Sequence, residues 1–482
     1  MTQSSMNEEA SSQVSLFVDL DGTLIKTDLL FESLLKLLKQ NPLFIILVPF
    51  WLFKGRAYLK QVLANRVEVA PEHLPYNVEF LSFLRQEHEN GRKLILATAS
   101  DRRLATGVAQ HVGMFSEIIA SDGINNLKGE EKLKAVQAVA QSKAFDYAGN
   151  SLSDLPLWNA AQRRLVVNVS PYLLSRIKNS VTIDQSFDLA QPTLRILPKA
   201  LRFYQYSKNI LLFVPIIMAH QFTDPSKLAA LVLGFLSFSL CASSVYLLND
   251  CFDLEADRTH PFKQKRPLAA GSLSISSALV LIPLLALASL WISLVLSTAF
   301  FQILLLYLIL TTAYSFYFKR IALADGILLS SLYMLRIIAG GVITEVLVSE
   351  WLLGFAMFFF LSLAFAKRYA ELFRLSSQTS TIAKGRGYSA EDLTALAIFG
   401  IVSGYISVTI LALYTNSEEM RRLYTTPEAL WLICPLLLYW ISRIWLLSYQ
   451  GQMLEDPLVF ALRDSVSYAT GFLTALFLFL AK

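Results

Sequence analysis

Two groups of carboxylates carry most of the chemistry available to this chain. Asp19 and Asp21 stand two residues apart in Asp19-Leu20-Asp21-Gly22-Thr23, at the end of the apolar run Val14–Leu20. Two acids at the carboxyl end of a buried strand can do two different jobs in one reaction. Asp250, Asp253 and Asp257 follow at spacings of three and four in Asn249-Asp250-Cys251-Phe252-Asp253-Leu254-Glu255-Ala256-Asp257-Arg258. On a helix that spacing places all three on one face, where they repel unless cations sit among them. Mg²⁺ carrying a diphosphate is the natural occupant, because it prefers oxygen ligands and accepts phosphate oxygens. Lys263 and Arg266 come next as partners for the phosphates. The plain alternative is a solvated acidic cap balanced by nearby bases.

The elements that must position these groups differ in kind. Of the 482 residues, 54% are hydrophobic and only 16% charged, which excludes a purely soluble globular protein, where about a quarter would be charged. The first stretch, to about residue 195, nevertheless reads as soluble. Apolar runs at 14–20, 93–97 and 145–148 end in DLDGT, Thr98-Ala99-Ser100 and Asn150-Ser151-Leu152-Ser153-Asp154. Helical stretches lie between them, so a parallel sheet with crossovers is expected, with its ligands at the carboxyl edge. From Lys208 onward nine apolar segments of about membrane-spanning length follow: 209–223, 228–248, 275–296, 299–317, 326–344, 351–366, 393–415, 428–447 and 465–481. If the soluble part is cytoplasmic, the loops on its side carry twelve Lys and Arg against three opposite, as the positive-inside rule requires. The polar Met1 end reads as no cleavable signal peptide. The net charge of +5 is too mild for a nucleic-acid partner, and three cysteines make no disulfide framework. Residues 42–53 are twelve apolar residues with basic flanks, too short to span a bilayer and suited to lying on one.

DLDGT, a strand ending in Thr98, then Lys128, then the acidic loop 150–154 resemble, in this order, the four motifs of the haloacid dehalogenase (HAD) superfamily of phosphatases. The resemblance implies an α/β Rossmann-like domain over 14–185 with a helical cap at about 29–80. Asp19 would attack phosphorus, and Asp21 would protonate the leaving alcohol and then activate water. Thr98 and Lys128, with Lys132 as runner-up, would hold the phosphoryl oxygens. Asp19 and Asp154 would hold Mg²⁺. Asn150 departs from the pattern, since that motif usually opens with an acid. A HAD-shaped module without turnover, kept for docking or regulation, is the competing reading.

The Asn249–Asp257 motif after the second span resembles the UbiA superfamily of membrane transferases, which are nine-helix bundles using Mg²⁺ and a diphosphate leaving group. Gln205-Tyr206-Ser207-Lys208-Asn209, Arg336-Ile337-Ile338-Ala339-Gly340-Gly341, Lys367-Arg368-Tyr369-Ala370-Glu371-Leu372 and Glu455-Asp456-Pro457 narrow the likeness to the decaprenyl-phosphate phosphoribosyltransferase branch. The transferase part would cover 205–482, after a linker at 186–204. The resemblance implies that Mg²⁺ on Asp250, Asp257 and Asp253 neutralises the diphosphate of phosphoribosyl diphosphate, while a polyprenyl phosphate attacks the anomeric carbon. Asn249 belongs to the same motif. Lys208 and Arg336 would position the lipid phosphate. Ordinary UbiA prenyltransferases carry a second aspartate pair after span four; here that loop offers Asp325 beside Lys319 and Arg320. Lys319, Arg320, Lys367 and Arg368 are therefore candidate holders of an extra phosphate, against the reading that they only anchor the cytoplasmic face. The expectation is a bifunctional enzyme of cell-envelope biosynthesis in the bacterial cytoplasmic membrane, with both active faces in the cytoplasm. Its product would be polyprenyl-phosphoryl ribose. The alternative is isoprenoid transfer to an aromatic acceptor. No residue pattern speaks to oligomeric state.

Overall fold

In the computed structural model, residues 14–141, 143–187, 193–376, 387–453 and 456–481 are described. Glu455 and residues 188–192 of the expected linker lie outside them. The chain divides into two compact units, Met1–Phe203 with Tyr246–Pro283, and Tyr204–Val245 with Leu284–Lys482. The division differs from the boundary at 186–204 read from the sequence, because the acidic segment after the second span packs with the first unit. The described part of that linker is ordered chain, a helix at Thr193–Ala200.

The first unit is built on a six-stranded parallel sheet in the order β3-β2-β1-β4-β5-β6. The strands are β1 (Ser15–Val18), β2 (Leu94–Asp101), β3 (Glu117–Ser121), β4 (Phe145–Gly149), β5 (Arg164–Val167) and β6 (Gln185–Phe187). β1, β2 and β4 are the three expected strands. Alternation decides which face each side chain covers. Leu16, Val18, Leu94 and Leu96 pack into one core layer, and Phe17, Ile95, Ala97 and Tyr147 into the other. Because both faces are covered by helices, the strands read as continuous apolar runs. β1 lies between β2 and β4, so the chain leaves the sheet at its topological switch point.

The cap follows directly. Asp28 caps the helix Leu29–Gln40 by accepting from Leu30 N. A 3₁₀ turn at Pro42–Ile46 and helices Val48–Phe53 and Arg56–Ala64 complete it, around a small core of Leu37, Trp51, Leu59 and Leu63.

Among the described residues, seven helices are long and apolar enough to cross a membrane: Pro225–Phe252, Ile275–Leu296, Thr298–Phe316, Ala324–Thr344, Glu350–Arg374, Ala390–Thr415 and Pro427–Tyr449. Ser465–Ala481 is a shorter apolar helix. These eight correspond to the last eight of the nine expected segments. The first segment, 209–223, is not a spanning helix: a 3₁₀ stretch Phe203–Phe213 passes into a five-residue α-helix, Val214–Met218. Pro215 enters that junction without an N–H to donate. Within the second unit, Ser237 and Ser289 exchange side-chain-to-carbonyl hydrogen bonds at 2.8 and 2.7 Å, tying two helices by polar contacts. Gly340 lets the backbone at Leu212 approach so closely that a Cβ would overlap the Leu212 carbonyl oxygen.

Candidate functional sites

At the carboxyl edge of the sheet, Asp19 follows β1 and is buried. Its Oδ1 accepts from Lys132 Nζ at 2.9 Å. Lys132 Nζ also donates to Tyr147 Oη at 3.1 Å and stands 3.6 Å from Asp154. The lysine that reaches Asp19 is thus Lys132, while Lys128 is exposed. Helical phase explains the difference. Lys132 and Val136 share the buried face of the helix Glu130–Ala140, whereas Lys128 precedes the turn at Gly129.

Asp154, expected to hold metal, is buried beside Lys132 and accepts four hydrogen bonds. Its Oδ2 accepts from Asn150 N, Ser151 N and Ser151 Oγ at 3.0–3.2 Å, and its Oδ1 from Tyr147 Oη at 3.0 Å. Three of these bonds fall on Oδ2 from its own loop, while Oδ1 faces Tyr147 of β4 and the Lys132 ammonium. Asn150 is the member of that loop that lies on the acid turn. Gly22, at φ +77°, carries no Cβ, and a Cβ there would overlap Asn150 Nδ2. A hard cation could draw on Asp19 and the Asn150 amide oxygen, with waters completing its shell, a donor set that suits Mg²⁺.

Asp21 has a different setting. It accepts from Leu29 N at 2.9 Å and from the Ser100 hydroxyl. Thr98 is fully buried two residues before Ser100, and its Oγ1 accepts from Ser100 N at 3.0 Å. Burial pushes the Asp21 carboxyl up to about 7, with Asp28 adding to the rise and the Ser100 and Leu29 hydrogen bonds opposing it. Burial lifts Asp19 to about 6 against the pull of Lys132. Lys132 itself is held above its ordinary value because Asp19 and Asp154 outweigh the effect of burial.

Sequence reasoning missed Lys60, treated only as a basic flank. The cap brings it over the sheet edge, where its ammonium donates to Ala99 O at 2.6 Å and to Asn126 Oδ1 at 3.2 Å. Burial lowers its pKa, with Asp21 and Asp28 opposing. No motif marks it; its signal is a lysine on the otherwise buried face formed by Ala57, Leu59 and Leu63 of its helix.

The second acid group also lies in the first unit. Asp250 and Asp257 are both buried and share one guanidinium: Arg266 Nη1 stands 3.0 Å from Asp250 Oδ1 and 2.6 Å from Asp257 Oδ2. Arg202 adds a second guanidinium to Asp250 and lies over the Tyr246 ring. Arg202, at the end of the expected linker, was not among the sequence candidates. The single helical face expected for three aspartates is interrupted. The long helix ends at Phe252, Asp253 caps the next one, and Leu254–Thr259 carries Asp257. Asp253 is half-buried, Asn249 accepts from Asp253 N through its carbonyl at 2.9 Å, and Lys263 is exposed. Two carboxylates bridged by a cation are a donor pair that Mg²⁺ with phosphate oxygens could use in place of the guanidinium. Among the described residues, no three His, Cys, Asp or Glu side chains form a ready-made metal cluster.

In the second unit, Lys208 and Lys367 converge on one oxygen of Asp456, at 3.1 and 2.9 Å. Burial raises the Asp456 carboxyl, but the two ammoniums outweigh it and hold it far below the usual carboxylate range. The trio keeps one net positive charge. Arg368 and Arg336 are spent differently. Arg368 pairs with the fully buried Asp325 and bonds Glu371 and Tyr314, each at 2.7 Å. Asp325 also accepts from Tyr388 Oη at 2.5 Å. Arg336 donates to Asn209 Oδ1, Leu332 O and Tyr307 Oη at 2.6–2.8 Å. Both arginines are engaged by protein partners, whereas Lys208 and Lys367 share a single carboxylate. Lys319 is half-buried beyond Thr298–Phe316, while Arg320 is exposed.

Two family models match the chain. A haloacid dehalogenase-like hydrolase model covers residues 16–158, and a UbiA prenyltransferase family model covers 210–446. The uncharacterized protein y4nM of Sinorhizobium fredii is 36% identical over 468 residues, 96% of this chain and 90% of that protein. Nodulation protein NoeC of Azorhizobium caulinodans is 32% identical over 273 residues, 56% of this chain and 87% of that protein. The decaprenyl-phosphate phosphoribosyltransferase of Mycolicibacterium smegmatis is 34% identical over 280 residues, 56% of this chain and 86% of that enzyme.

Proposed function

Because the chain belongs to the UbiA prenyltransferase family and carries a haloacid dehalogenase-like hydrolase domain ahead of that part, we propose that it makes a polyprenyl-phosphoryl ribose in two steps. The first transfers 5-phosphoribosyl from phosphoribosyl diphosphate to a polyprenyl phosphate. The C1–O bond to the diphosphate breaks, diphosphate leaves with the bonding pair, and an oxygen of the lipid phosphate bonds to C1. That phosphate is already ionised at neutral pH, so no strong base is required. Asp250 and Asp257 would hold Mg²⁺, whose charge compensates the departing diphosphate. Arg266 and Arg202 would follow the diphosphate oxygens, and Lys208 and Lys367 would take up a substrate phosphate.

The second step removes the 5-phosphate. Asp19 attacks phosphorus, Asp21 gives its proton to the departing ribose oxygen, and water then cleaves the aspartyl phosphate with Asp21 as base. Lys132 and Lys60 offer positive charge to the phosphoryl oxygens. Joining the two enzymes raises the local concentration of the second at the exit of the first. We place both sites on the cytoplasmic face of a bacterial inner membrane, the side that the basic loops favour.

The observation that carries the reading is the pair of ammoniums on Asp456, an excess of positive charge that a substrate phosphate could meet. Transfer of an isoprenoid to an aromatic acceptor would draw on a second acid pair, whereas Asp325 is buried and neutralised by Arg368. The test is to incubate the purified protein with polyprenyl phosphate, phosphoribosyl diphosphate and Mg²⁺ and to weigh the lipid products by mass spectrometry. A ribosylated lipid lacking the 5-phosphate is expected. A product that keeps it would leave only the transferase standing, and no ribosylated lipid would refute the proposal.

A further inference from the structure

The cap presents an apolar surface that is exposed among the described residues. Leu43, Ile45, Ile46, Phe50, Leu52 and Phe53 are all exposed, Phe53 at 90%. They occupy two short helices, Pro42–Ile46 and Val48–Phe53, with Lys39, Lys54 and Arg56 exposed at the edges. With Leu47 between the two helices, seven large apolar side chains exposed within eleven residues exceed the scatter of single surface hydrophobes.

Where this surface lies can be read from the helix before it. Along Leu29–Gln40, Glu32 pairs with Arg258 at 2.6 Å, Lys36 with Glu255 at 3.2 Å, and Lys39 with the Phe252 carbonyl at 2.8 Å. Each step toward the end of this helix is thus a step back along the acidic segment, toward the span Pro225–Phe252. Phe252 is the last residue of that apolar helix, so Lys39 sits at its end. The chain enters the apolar segment three residues later.

We infer that residues 42–53 lie in the interfacial layer of the bilayer, with a lipid surface as the partner of this face. Twelve residues in two short helices cannot cross the hydrocarbon, but an apolar face with basic flanks suits the boundary between headgroups and acyl chains, the bases meeting anionic lipid phosphates. The cap that covers the phosphatase site is then held at the surface that carries its lipid-borne substrate. The placement itself does not depend on which phosphate ester is cleaved.

The experiment uses the full-length protein in nanodiscs of phosphatidylcholine and phosphatidylglycerol. Phe53→Cys carries an environment-sensitive fluorophore, with Tyr172→Cys, exposed at 73% in the same unit, as the aqueous comparison. The three native cysteines are buried, and the labelled parent chain gives the background. At residue 53 we expect blue-shifted emission, at least twofold quenching by lipids brominated near the headgroup and little quenching by iodide, with the reverse at residue 172. Leu43→Cys should behave as residue 53 does. Iodide quenching at 43 and 53 equal to that at 172 would overturn the inference. So would protection from both quenchers, which would mean a protein covers the face. Neither readout requires activity, so loss of the phosphatase reading would be seen separately.

Discussion

The first unit holds two pairs of acids, with Asp19, Asp250 and Asp257 buried and Asp21 half-buried, and they are compensated in opposite ways. Asp19 and Asp21 are served by lysines, a hydroxyl and a backbone amide, and both carboxyls are pushed up, to about 6 and about 7. Asp250 and Asp257 are bridged by guanidinium groups of Arg266 and Arg202. Arginine stays charged at any pH a protein meets, and its planar fork fits carboxylate and phosphate equally. The first arrangement suits a group that must give and take a proton near neutrality. The second suits a site that holds and releases charge without moving protons.

The sharpest way to break this contrast is to silence one pair at a time. Asp19→Asn should lower phosphatase turnover at least ~1000-fold by removing the nucleophile, while ribosyl transfer continues and mass spectrometry shows a lipid that keeps its 5-phosphate. Loss of both activities together would mean that the pairs are not separate sites. Asp250→Asn should cost transfer on the order of 100-fold, the scale of losing one contact to developing charge, and should spare hydrolysis of a soluble phosphate ester. Near-normal transfer rates in that variant would count against the diphosphate site. Lys367→Met should be milder, raising KM for a phosphate-bearing substrate roughly 10-fold with kcat less affected, about 1.4 kcal/mol; unchanged steady-state kinetics would return Lys367 to a membrane-anchor role.

Acidity separates the pairs further. If Asp21 donates as a carboxylic acid, as proposed, hydrolysis of an alkyl phosphate should decline as pH rises through about 7. p-Nitrophenyl phosphate, whose leaving group needs no proton, should not show that limb, and ribosyl transfer should stay level from about pH 6 to 8. The same alkaline limb for both esters would reassign the acid. The smallest effect concerns stability. A folded value of about 7 against an ordinary 3.8 means that the folded state keeps a proton the unfolded chain has lost. The stability this proton lends is complete below about pH 4 and is lost as pH rises through about 7. Asp21→Asn should therefore raise the apparent Tm at pH 8 by roughly a few degrees in Mg²⁺-free buffer, with no gain at pH 4. An unchanged Tm at pH 8 would contradict the burial of that charge.

Much of this was legible in the residues. Apolar runs ending in Asp19, Thr98 and Asn150 declared β1, β2 and β4, because a strand buried on both faces has no polar alternation to confuse it. Asp250 and Asp257 were legible as a pair, but Asp253 was not, since spacing assumes one continuous helix and the chain breaks at that residue. Lys132 lost to Lys128 in the reading because motif order does not say which lysine faces the sheet. Lys60 and Arg202 act across long sequence separations that no local pattern encodes. Lys367 and Arg368 are neighbours of like charge that turn to different partners, Asp456 and Asp325, and only packing separates them.

The pair Glu32–Arg258 joins residues 226 positions apart, with both side chains buried. At synthesis rates of about 5–20 residues per second, Glu32 leaves the ribosome about 10–45 s before its partner exists. During that interval Glu32 has the Thr27 hydroxyl and water but no countercharge from Arg258. The first unit is also discontinuous in the chain and is complete only once residues 246–283 have been made. Biogenesis therefore sets an order: the sheet can form early, but the cap helix meets Phe252, Glu255 and Arg258 only after the span Pro225–Phe252 has been made.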